Sequence, residues 1–131
     1  MTDERSYMDQ TVGFLRASEE RRLADAEAYL AEDVIFVFPG AELRKLADVH
    51  ASAAKLYASI RKTFLTWDVV AKDDGSTVVV STGTLGGTNV HGAEFQGIRY
   101  IDRITWRGDR IVIHEVWNDL AISGVLDPPA D

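Results

Sequence analysis

The stretch "YIDRITWRGDRIVIHEVW", residues 100–117, is typical of two β-strands joined by a tight turn. β-Branched and aromatic residues flank "RGD", and Gly108 can adopt the positive φ that a short hairpin loop needs. Successive side chains of a strand point to opposite faces of the sheet. The hairpin therefore raises one question about function, which is whether Asp102 and His114 share the inner face.

Two registers of this hairpin must be compared. A three-residue loop pairs Trp106 with Arg110, so that Asp102 lies directly opposite His114. A two-residue loop sets Asp102 opposite Glu115, and like charges directly opposite each other destabilise a sheet. We therefore predict the three-residue register, in the knowledge that a slip of one residue moves every side chain to the other face.

In the three-residue register one face of the hairpin is bulkier and more aromatic than the other. We take it as the inner, concave face, which places Asp102 and His114 inside the protein. The other inward residues are then Ile98, Tyr100, Ile104, Trp106, Val116 and Asn118. The outer face has Ile101, Ile111, Ile113 and Trp117, together with Arg99, Arg103 and Glu115.

The composition fits a single globular domain over residues 1–131. The chain is 46% hydrophobic and 27% charged, and it has no repeat and no linker rich in glycine and proline. It contains no Cys and three scattered His, so it predicts neither a disulfide nor a metal site.

The net charge and the length of the apolar runs argue against two classes of partner, nucleic acids and membranes. A formal net charge of -7 argues against nucleic acid, because binding to phosphates needs a basic surface. The apolar runs are only as long as strands, and the acidic start "MTDERSYMDQ" is unlike a signal peptide. The sequence therefore predicts a cytoplasmic protein with no membrane partner.

The order of the predicted elements is typical of an α+β fold. Apolar periodicity predicts helices at about 6–18 and 23–31, and a strand at 32–40 ends at Pro39 and Gly40. Asp48 is the expected N-cap of a third helix. That helix has Leu56, Tyr57, Ile60 and Phe64 as its apolar stripe, and the strands that follow are at about 65–71, 77–85, 94–106 and 110–120. Residues 1–5 and 123–131 are predicted to be loose tails.

This order, with "AEDVIFVFPG" and the closing hairpin, resembles the nuclear transport factor 2-like superfamily. That group includes ketosteroid isomerase, scytalone dehydratase, limonene epoxide hydrolase and the small polyketide cyclases. The resemblance spans about residues 6–120 and implies a cone-shaped, strongly curved antiparallel sheet wrapped on three helices. It is specific for the fold and not for one activity.

The resemblance to ketosteroid isomerase is partial. It places that enzyme's protonated oxyanion-hole Asp on Asp102 of "YIDRI" and its supporting Tyr, on the third helix, on Tyr57 of "LYASI". The catalytic base and the oxyanion-hole Tyr of the isomerase fall on Phe38 and Phe14. Limonene epoxide hydrolase would need charged residues at the positions of Gly83, Thr84 and Val116, where this sequence has none. Neither reaction is implied by its known route.

The inward polar residues are more similar in type to those of scytalone dehydratase-like lyases, which use an Asp–His pair and Tyr donors without a cofactor. A carboxylate can fix the tautomer of an imidazole that moves a proton near neutral pH. We therefore predict Asp102, His114 and Tyr57 as catalytic residues, with no cofactor. The predicted substrate-binding residues are Phe14, Phe36, Phe38, Ile98, Tyr100, Ile104, Trp106, Val116 and Asn118.

Two functions remain open from the sequence. The first is a cofactor-free lyase, isomerase or cyclase that acts on a small, mostly apolar molecule. The second is a non-catalytic ligand-binding or dimerisation domain, in which Asp102 and His114 form a structural hydrogen bond. The apolar outer face predicts a homodimer packed sheet to sheet. His50 and His91 are predicted to be surface residues.

Overall fold

The computed structural model describes residues 4–130 and shows one curved, unclosed sheet with helices packed on its concave side. The elements are α1 (Glu4–Glu19), α2 (Leu23–Glu27), β1 (Leu30–Phe38), β2 (Ala41–Leu43), α3 (Leu46–Ala54), β3 (Tyr57–Ala71), β4 (Thr77–Asn89), β5 (Glu94–Arg107), β6 (Arg110–Asn118) and α4 (Leu120–Ser123). The strand order is β2-β1-β6-β5-β4-β3, and β1 runs parallel to β6 while the other neighbours are antiparallel. The predicted α+β cone is confirmed, with β2 and α4 as additional short elements.

The predicted third helix is too long. α3 ends at Ala54, and Tyr57, Ile60 and Phe64 lie on the 15-residue strand β3. Two β-bulges, between Tyr57 and Ser59 and between Phe64 and Thr66, interrupt the pairing of β3 with β4. Each bulge adds one residue to the strand, so inward positions are locally three residues apart instead of two. A spacing of three residues is also typical of the apolar face of a helix, which is why the sequence predicts a helix here.

The predicted cap of α3 is also wrong. The residue before the helix is Lys45, in an extended conformation and without a side-chain cap hydrogen bond. Asp48 lies inside the first turn, where an acidic side chain interacts favourably with the helix dipole.

The hairpin of β5 and β6 has a two-residue loop, since Arg107 pairs with Arg110. A bulge follows at once, because Trp106 pairs with Ile111 while Thr105 pairs with Ile113. The loop moves the register by one residue from the predicted one, and the bulge moves it by one more. A shift of two residues leaves every later side chain of β6 on its predicted face.

The predicted direct opposition of Asp102 and His114 is therefore wrong, although both side chains are inside. Asp102 lies opposite Val116, and His114 lies opposite Ile104, so the two polar residues are diagonal neighbours. Asp102 is 0% exposed and His114 is 6% exposed. Diagonal neighbours on one face are within reach of long side chains.

The same bulge changes the outer face. Ile111, predicted to be outward, is fully buried in the core. The outer face retains Ile101 opposite Trp117, and Arg103 Nη1 pairs there with Glu115 Oε1 at 2.7 Å. Arg99 instead pairs with Asp119.

The inward residues of β5 divide the interior into two halves. Ile104 and Trp106 belong to a closed half that α1 and α2 cover, and Trp106 Nε1 donates to Thr11 Oγ1 at 3.0 Å. Ile98 and Tyr100 belong to an open half. The buried members of the open half are Leu85, Phe95, Ile98, Tyr100 and Leu120.

The chain after β6 contacts the open half. Leu120 of α4 is buried there, and the carbonyl of Val125 accepts a hydrogen bond from Asn89 Nδ2 at 3.0 Å. Residues 123–126, for which the sequence predicts a loose tail, thus pack on the domain in part. At the other end α1 already begins at Glu4. The predictions for residues 1–3 and 131 lie outside the described residues. No helix between residues 4 and 130 is long and apolar enough to cross a membrane.

Candidate functional site

The centre of the candidate site is the carboxylate of Asp102, at the middle of the inward row of β5. Its Oδ1 lies 3.3 Å from His114 Nε2, and its Oδ2 lies 3.0 Å from Lys62 Nζ. A buried charge is tolerated only with such partners, because burial without them costs several kcal/mol. We call Lys62, Asp102 and His114 the polar cluster. The predicted hydrogen-bond reach between Asp102 and His114 is confirmed.

The charges of the polar cluster follow from its geometry. Burial raises the pKa of Asp102, but the Lys62 ammonium and His114 outweigh this effect, so the pKa lies below its ordinary value. Burial lowers the pKa of Lys62, but the negative charges of Asp102 and Glu19 together raise it by more. The pKa of Lys62 therefore lies above its ordinary value. Asp102 is therefore an ionised carboxylate at neutral pH. The protonated oxyanion-hole Asp that the isomerase resemblance places here is not reproduced.

His114 is enclosed by three phenylalanine rings. Its ring centroid lies 5.4 Å from that of Phe14, 6.2 Å from Phe36 and 6.3 Å from Phe38, each approximately edge to face. Nε2 is occupied by Asp102, whereas Nδ1 has no hydrogen-bond partner within residues 4–130. The side chain of His114 is 8% exposed to solvent. Nδ1 is therefore the imidazole nitrogen that Asp102 does not engage.

Lys62 is the functional residue that the sequence analysis missed. It lies between Ile60 and Phe64 on the inward face of β3, in a segment predicted to be helical. Its side chain is 13% exposed, and its Nζ lies 5.2 Å from the centre of the Tyr100 ring. The alternation "IRKTF" is the signal that could have found it, because as a strand it places a Lys between two apolar inward residues.

The end of α1 fixes the backbone of Lys62. Glu19 Oε1 accepts the Lys62 N–H at 2.9 Å, and Arg16 Nη1 donates to the Lys62 carbonyl, also at 2.9 Å. Arg16 and Glu19 pair with each other at 2.9 Å, and the Glu19 side chain is only 2% exposed. β3 is the last strand of the sheet, so these side chains satisfy backbone groups that no further strand would bond.

A cavity of about 370 Å³ opens beside the polar cluster. Its polar lining residues are Ser52, Tyr57 and Asn118, and the remainder is apolar. The apolar lining is formed by Phe38, Pro39, Ala41, Leu43, Val49, Ala53, Leu56, Ile60, Val116, Leu120, Ala121 and Leu126. Such a lining suits a small apolar molecule with a few polar atoms. Four predicted site residues belong to it: Phe38, Tyr57, Val116 and Asn118.

The other predicted substrate-binding residues lie outside this lining. They are buried in the two cores, with exposures between 0% and 7%: Phe14, Phe36, Ile98, Tyr100, Ile104 and Trp106. Their inward direction was inferred correctly, but α1 and the neighbouring strands fill the space that they face. Asp102 and His114 also lie behind the lining and do not form it.

Tyr57 lines the cavity from the first position of β3, and not from a helix as the resemblance implies. Burial raises the pKa of its phenol, and the cations of Lys62 and Arg21 oppose this effect only in part. The phenol therefore stays neutral at physiological pH and can donate a hydrogen bond.

The other histidines add no metal site. His50 is half-buried with its Nε2 3.0 Å from Ser18 Oγ, and His91 is exposed. Among residues 4–130, no group of three or more His, Asp or Glu side chains could hold a metal ion.

The chain matches the SnoaL-like domain family over residues 12–114. The chain belongs to this family, and the predicted resemblance to the nuclear transport factor 2-like superfamily is confirmed. Members of this fold include polyketide cyclases and isomerases. None of the curated proteins that were compared matches the chain.

Several solved structures share the fold. A nuclear transport factor 2-like protein of unknown function from Burkholderia pseudomallei is 19% identical, with a TM-score of 0.71, over 92% of this chain and 96% of that one. TerC, co-crystallised with polyporic acid, is 14% identical with a TM-score of 0.71, over 92% and 97%. ActVI-ORFA from Streptomyces coelicolor is 14% identical with a TM-score of 0.68, over 86% and 94%.

Proposed function

We propose that the protein is a cofactor-free acid/base enzyme, a lyase, isomerase or cyclase, for a small and mostly apolar molecule held in the cavity. The proposal rests on one observation: an ionised, fully buried Asp102 is bonded to His114 directly behind the cavity lining. A carboxylate in this position fixes the imidazole with its Nε2–H toward Asp102, which leaves Nδ1 to take or give a proton.

Lys62 keeps Asp102 ionised in this arrangement. Without the ammonium, burial would raise the pKa of the carboxyl and weaken its hold on the His114 N–H. Lys62 itself remains protonated, so it serves as a fixed positive charge and not as a nucleophile.

Two side chains separate His114 from the cavity. The Phe38 ring both lines the cavity and packs against the imidazole, and Val116 follows two residues after His114 on β6. Rotation of the Phe38 side chain would expose the imidazole to a ligand, because Phe38 is only partly buried. Access to the base therefore depends on Phe38 and Val116.

The cavity defines the substrate class. Its lining is mainly apolar, and the charges of Lys62 and Asp102 already neutralise each other, so an uncharged ligand fits better than an anion. Tyr57 and Asn118 can hold an oxygen atom of that ligand. Proteins of this fold include polyketide cyclases and isomerases, and TerC was crystallised with polyporic acid. Both facts support a small oxygenated molecule.

The variant that tests this function is His114→Gln. The Gln amide can donate to Asp102, and Lys62 keeps its counter-charge, so we expect unfolding free energy within about 1 kcal/mol of the wild type. Asp102→Asn is a poorer choice, because it leaves the Lys62 ammonium without its partner.

Naphthol, a planar bicyclic phenol, serves as the probe in fluorescence titrations between about pH 5 and 8. We expect the naphthol affinity of the wild type to change over this pH range, and this change to be absent in His114→Gln. His91→Gln is the matched control, since His91 is exposed and does not line the cavity. An identical pH profile in all three proteins would contradict a role of His114 in proton transfer.

A second function, ligand binding without turnover, is favoured by the position of the polar cluster. Neither Asp102 nor His114 forms part of the cavity lining. In a binding protein the cluster would only stabilise the fold. His114→Gln would then lower the free energy of unfolding while naphthol bound with unchanged affinity and pH dependence.

We also propose a homodimer formed through the outer face of the sheet, with a second copy of this chain as the partner. Ile101 and Trp117 are paired neighbours there and are 43% and 49% exposed. Arg103 and Glu115 lie beside them with opposite charges, which a twofold axis would make self-complementary. An apolar patch on an exposed sheet is typical of such an interface.

Light scattering at tens of micromolar tests the dimer. We expect twice the mass of one chain for the wild type and a single-chain mass for Trp117→Glu. Ile122→Glu is the control, because Ile122 is 87% exposed but lies on α4 and not on the sheet. A single-chain mass for the wild type would reject the dimer.

A further inference from the structure

Arg21 has an unusual backbone conformation. Within residues 4–130 it is the only non-glycine residue with a positive φ, of 55°. It follows the end of α1, where the Arg21 N–H donates to the Ser18 carbonyl at 3.0 Å and the Arg22 N–H donates to the Ala17 carbonyl at 2.9 Å. Helices that end with these two bonds usually have Gly at the left-handed position. An Arg there is strained, and such strain persists where the side chain has a role.

The side chain of Arg21 contacts Tyr57. Its Nη2 donates to the Tyr57 carbonyl at 2.7 Å, and its guanidinium carbon lies 5.6 Å from the centre of the Tyr57 ring. β3 is an edge strand, so the first carbonyl of β3 gains a partner that the sheet does not offer on that side. Arg21 thus holds both the main chain and the ring of one residue.

Tyr57 lies between two cavities, as Ala53 and Ile60 also do. It lines the 370 Å³ cavity, and it also lines a second, much smaller one of about 50 Å³. The small cavity is bounded by Leu15, Ser18, Glu19, Arg21, His50, Ala53, Tyr57 and Ile60. The small cavity leaves unfilled space between Tyr57 and the end of α1, so packing on that side does not fix Tyr57 completely.

We propose that Arg21 is a positioning residue. Its side chain, which extends from a strained backbone position, holds the Tyr57 phenol at the wall of the large cavity. The bond to the Tyr57 carbonyl fixes the start of β3, and the guanidinium limits the movement of the ring toward α1. The use of Tyr57 as a ligand donor rests on the proposed function. The control of the ring by Arg21 does not.

Arg21→Gly and Arg21→Asn test this proposal. Both Gly and Asn accept the left-handed conformation, so the end of α1 keeps its hydrogen bonds and neither variant should unfold. Arg22→Ala is the matched control, because the Arg22 side chain pairs with Glu20 and Asp25 and, among residues 4–130, has no hydrogen bond or ion pair with β3. Circular dichroism checks that all three variants are folded.

The decisive measurement is the titration of the Tyr57 phenol by NMR with ¹³C-labelled tyrosine, with Tyr57→Phe to assign the signal. Burial is the largest cause of the raised pKa of Tyr57, and the Arg21 cation opposes it. If the ring stays in place without Arg21, loss of the cation must raise the pKa further. If the ring moves into water, the pKa must fall toward its ordinary value.

We expect the pKa of Tyr57 to fall in Arg21→Gly and Arg21→Asn and to stay unchanged in Arg22→Ala. We also expect naphthol to bind several-fold more weakly to both Arg21 variants. A pKa of Tyr57 that rises or stays constant in the Arg21 variants would overturn the positioning role. A wild type that binds no naphthol would overturn the proposed function instead, and the Tyr57 titration would still decide the role of Arg21.

Discussion

The closed and open halves of the interior are built from the same strands but differ in what fills them. In the closed half, Ile104 and Trp106 of β5 pack against Phe14 of α1, and all three side chains are fully buried. In the open half, Ile98 and Tyr100 form a smaller core, and the space beyond it is the 370 Å³ cavity. Asp102 lies between the halves. The difference teaches that an inward side chain becomes core or cavity lining according to whether other side chains fill the space in front of it.

The largest expected effect comes from the boundary between the halves. Asp102→Ala leaves the ammonium of Lys62 buried without its counter-charge, and we expect the free energy of unfolding to fall by about 3–5 kcal/mol. Urea denaturation measures it. The control is the double variant Lys62→Met with Asp102→Leu, which removes both charges and should recover most of the loss. A cost below about 1 kcal/mol for Asp102→Ala would show that water reaches Lys62 and that the boundary is open.

Phe36 and Phe38 of β1 differ in how completely they are buried, and a substitution at each tests the packing around it. Phe36 is fully buried in the closed half, whereas Phe38 is partly exposed and lines the cavity. We expect Phe36→Ala to cost about 3–5 kcal/mol of unfolding free energy, because it leaves a void in a packed core. Phe38→Ala should cost roughly 1–2 kcal/mol, since less buried surface is lost, and should change the naphthol affinity. Equal costs in urea melts would mean that the halves are packed alike.

The pH dependence of stability tests the charges at the boundary. The pKa of Asp102 is lowered in the folded state, so its contribution is fully present above its unfolded value of about 3.9 and is lost as pH falls through the folded value. The pKa of Lys62 is raised, so its contribution is lost only as pH rises above its unfolded value of about 10.4. We expect no change from this pair between those limits. Urea midpoints of the wild type should fall more steeply in acid than those of the double variant without the pair.

The smallest effect is expected on the outer face. The Arg103–Glu115 pair has the same kind of contact as the pair at the boundary, but its side chains are 35% and 23% exposed. A double-mutant cycle with Arg103→Ala and Glu115→Ala should give a coupling of about 0.2–1 kcal/mol, because solvent screens the charges. This value applies to the monomeric Trp117→Glu variant, which serves as the background of the cycle. A clearly larger coupling in the wild-type background would show that the face is buried there, as the proposed homodimer requires.

The sequence alone was sufficient for the family, the curved sheet and the inward side of β5. These inferences need only local information, because alternation along a strand is a property of neighbouring residues. The predicted register of the hairpin was wrong by two residues, yet Asp102 and His114 were correctly placed inside. The side on which a residue lies depends only on whether a register shift is odd or even.

What the tertiary structure alone decided is the environment of that inward face. The bulges of β3 made its spacing resemble a helix, and this concealed Lys62, which meets Asp102 from 40 positions earlier in the chain. Six predicted substrate-binding residues lie in the two cores, because side chains from distant parts of the chain fill the space that they face. Local patterns give the direction of a side chain, but its partner and the space in front of it depend on contacts between distant segments. The charge state of Asp102 and the place of the cavity therefore followed only from the folded chain.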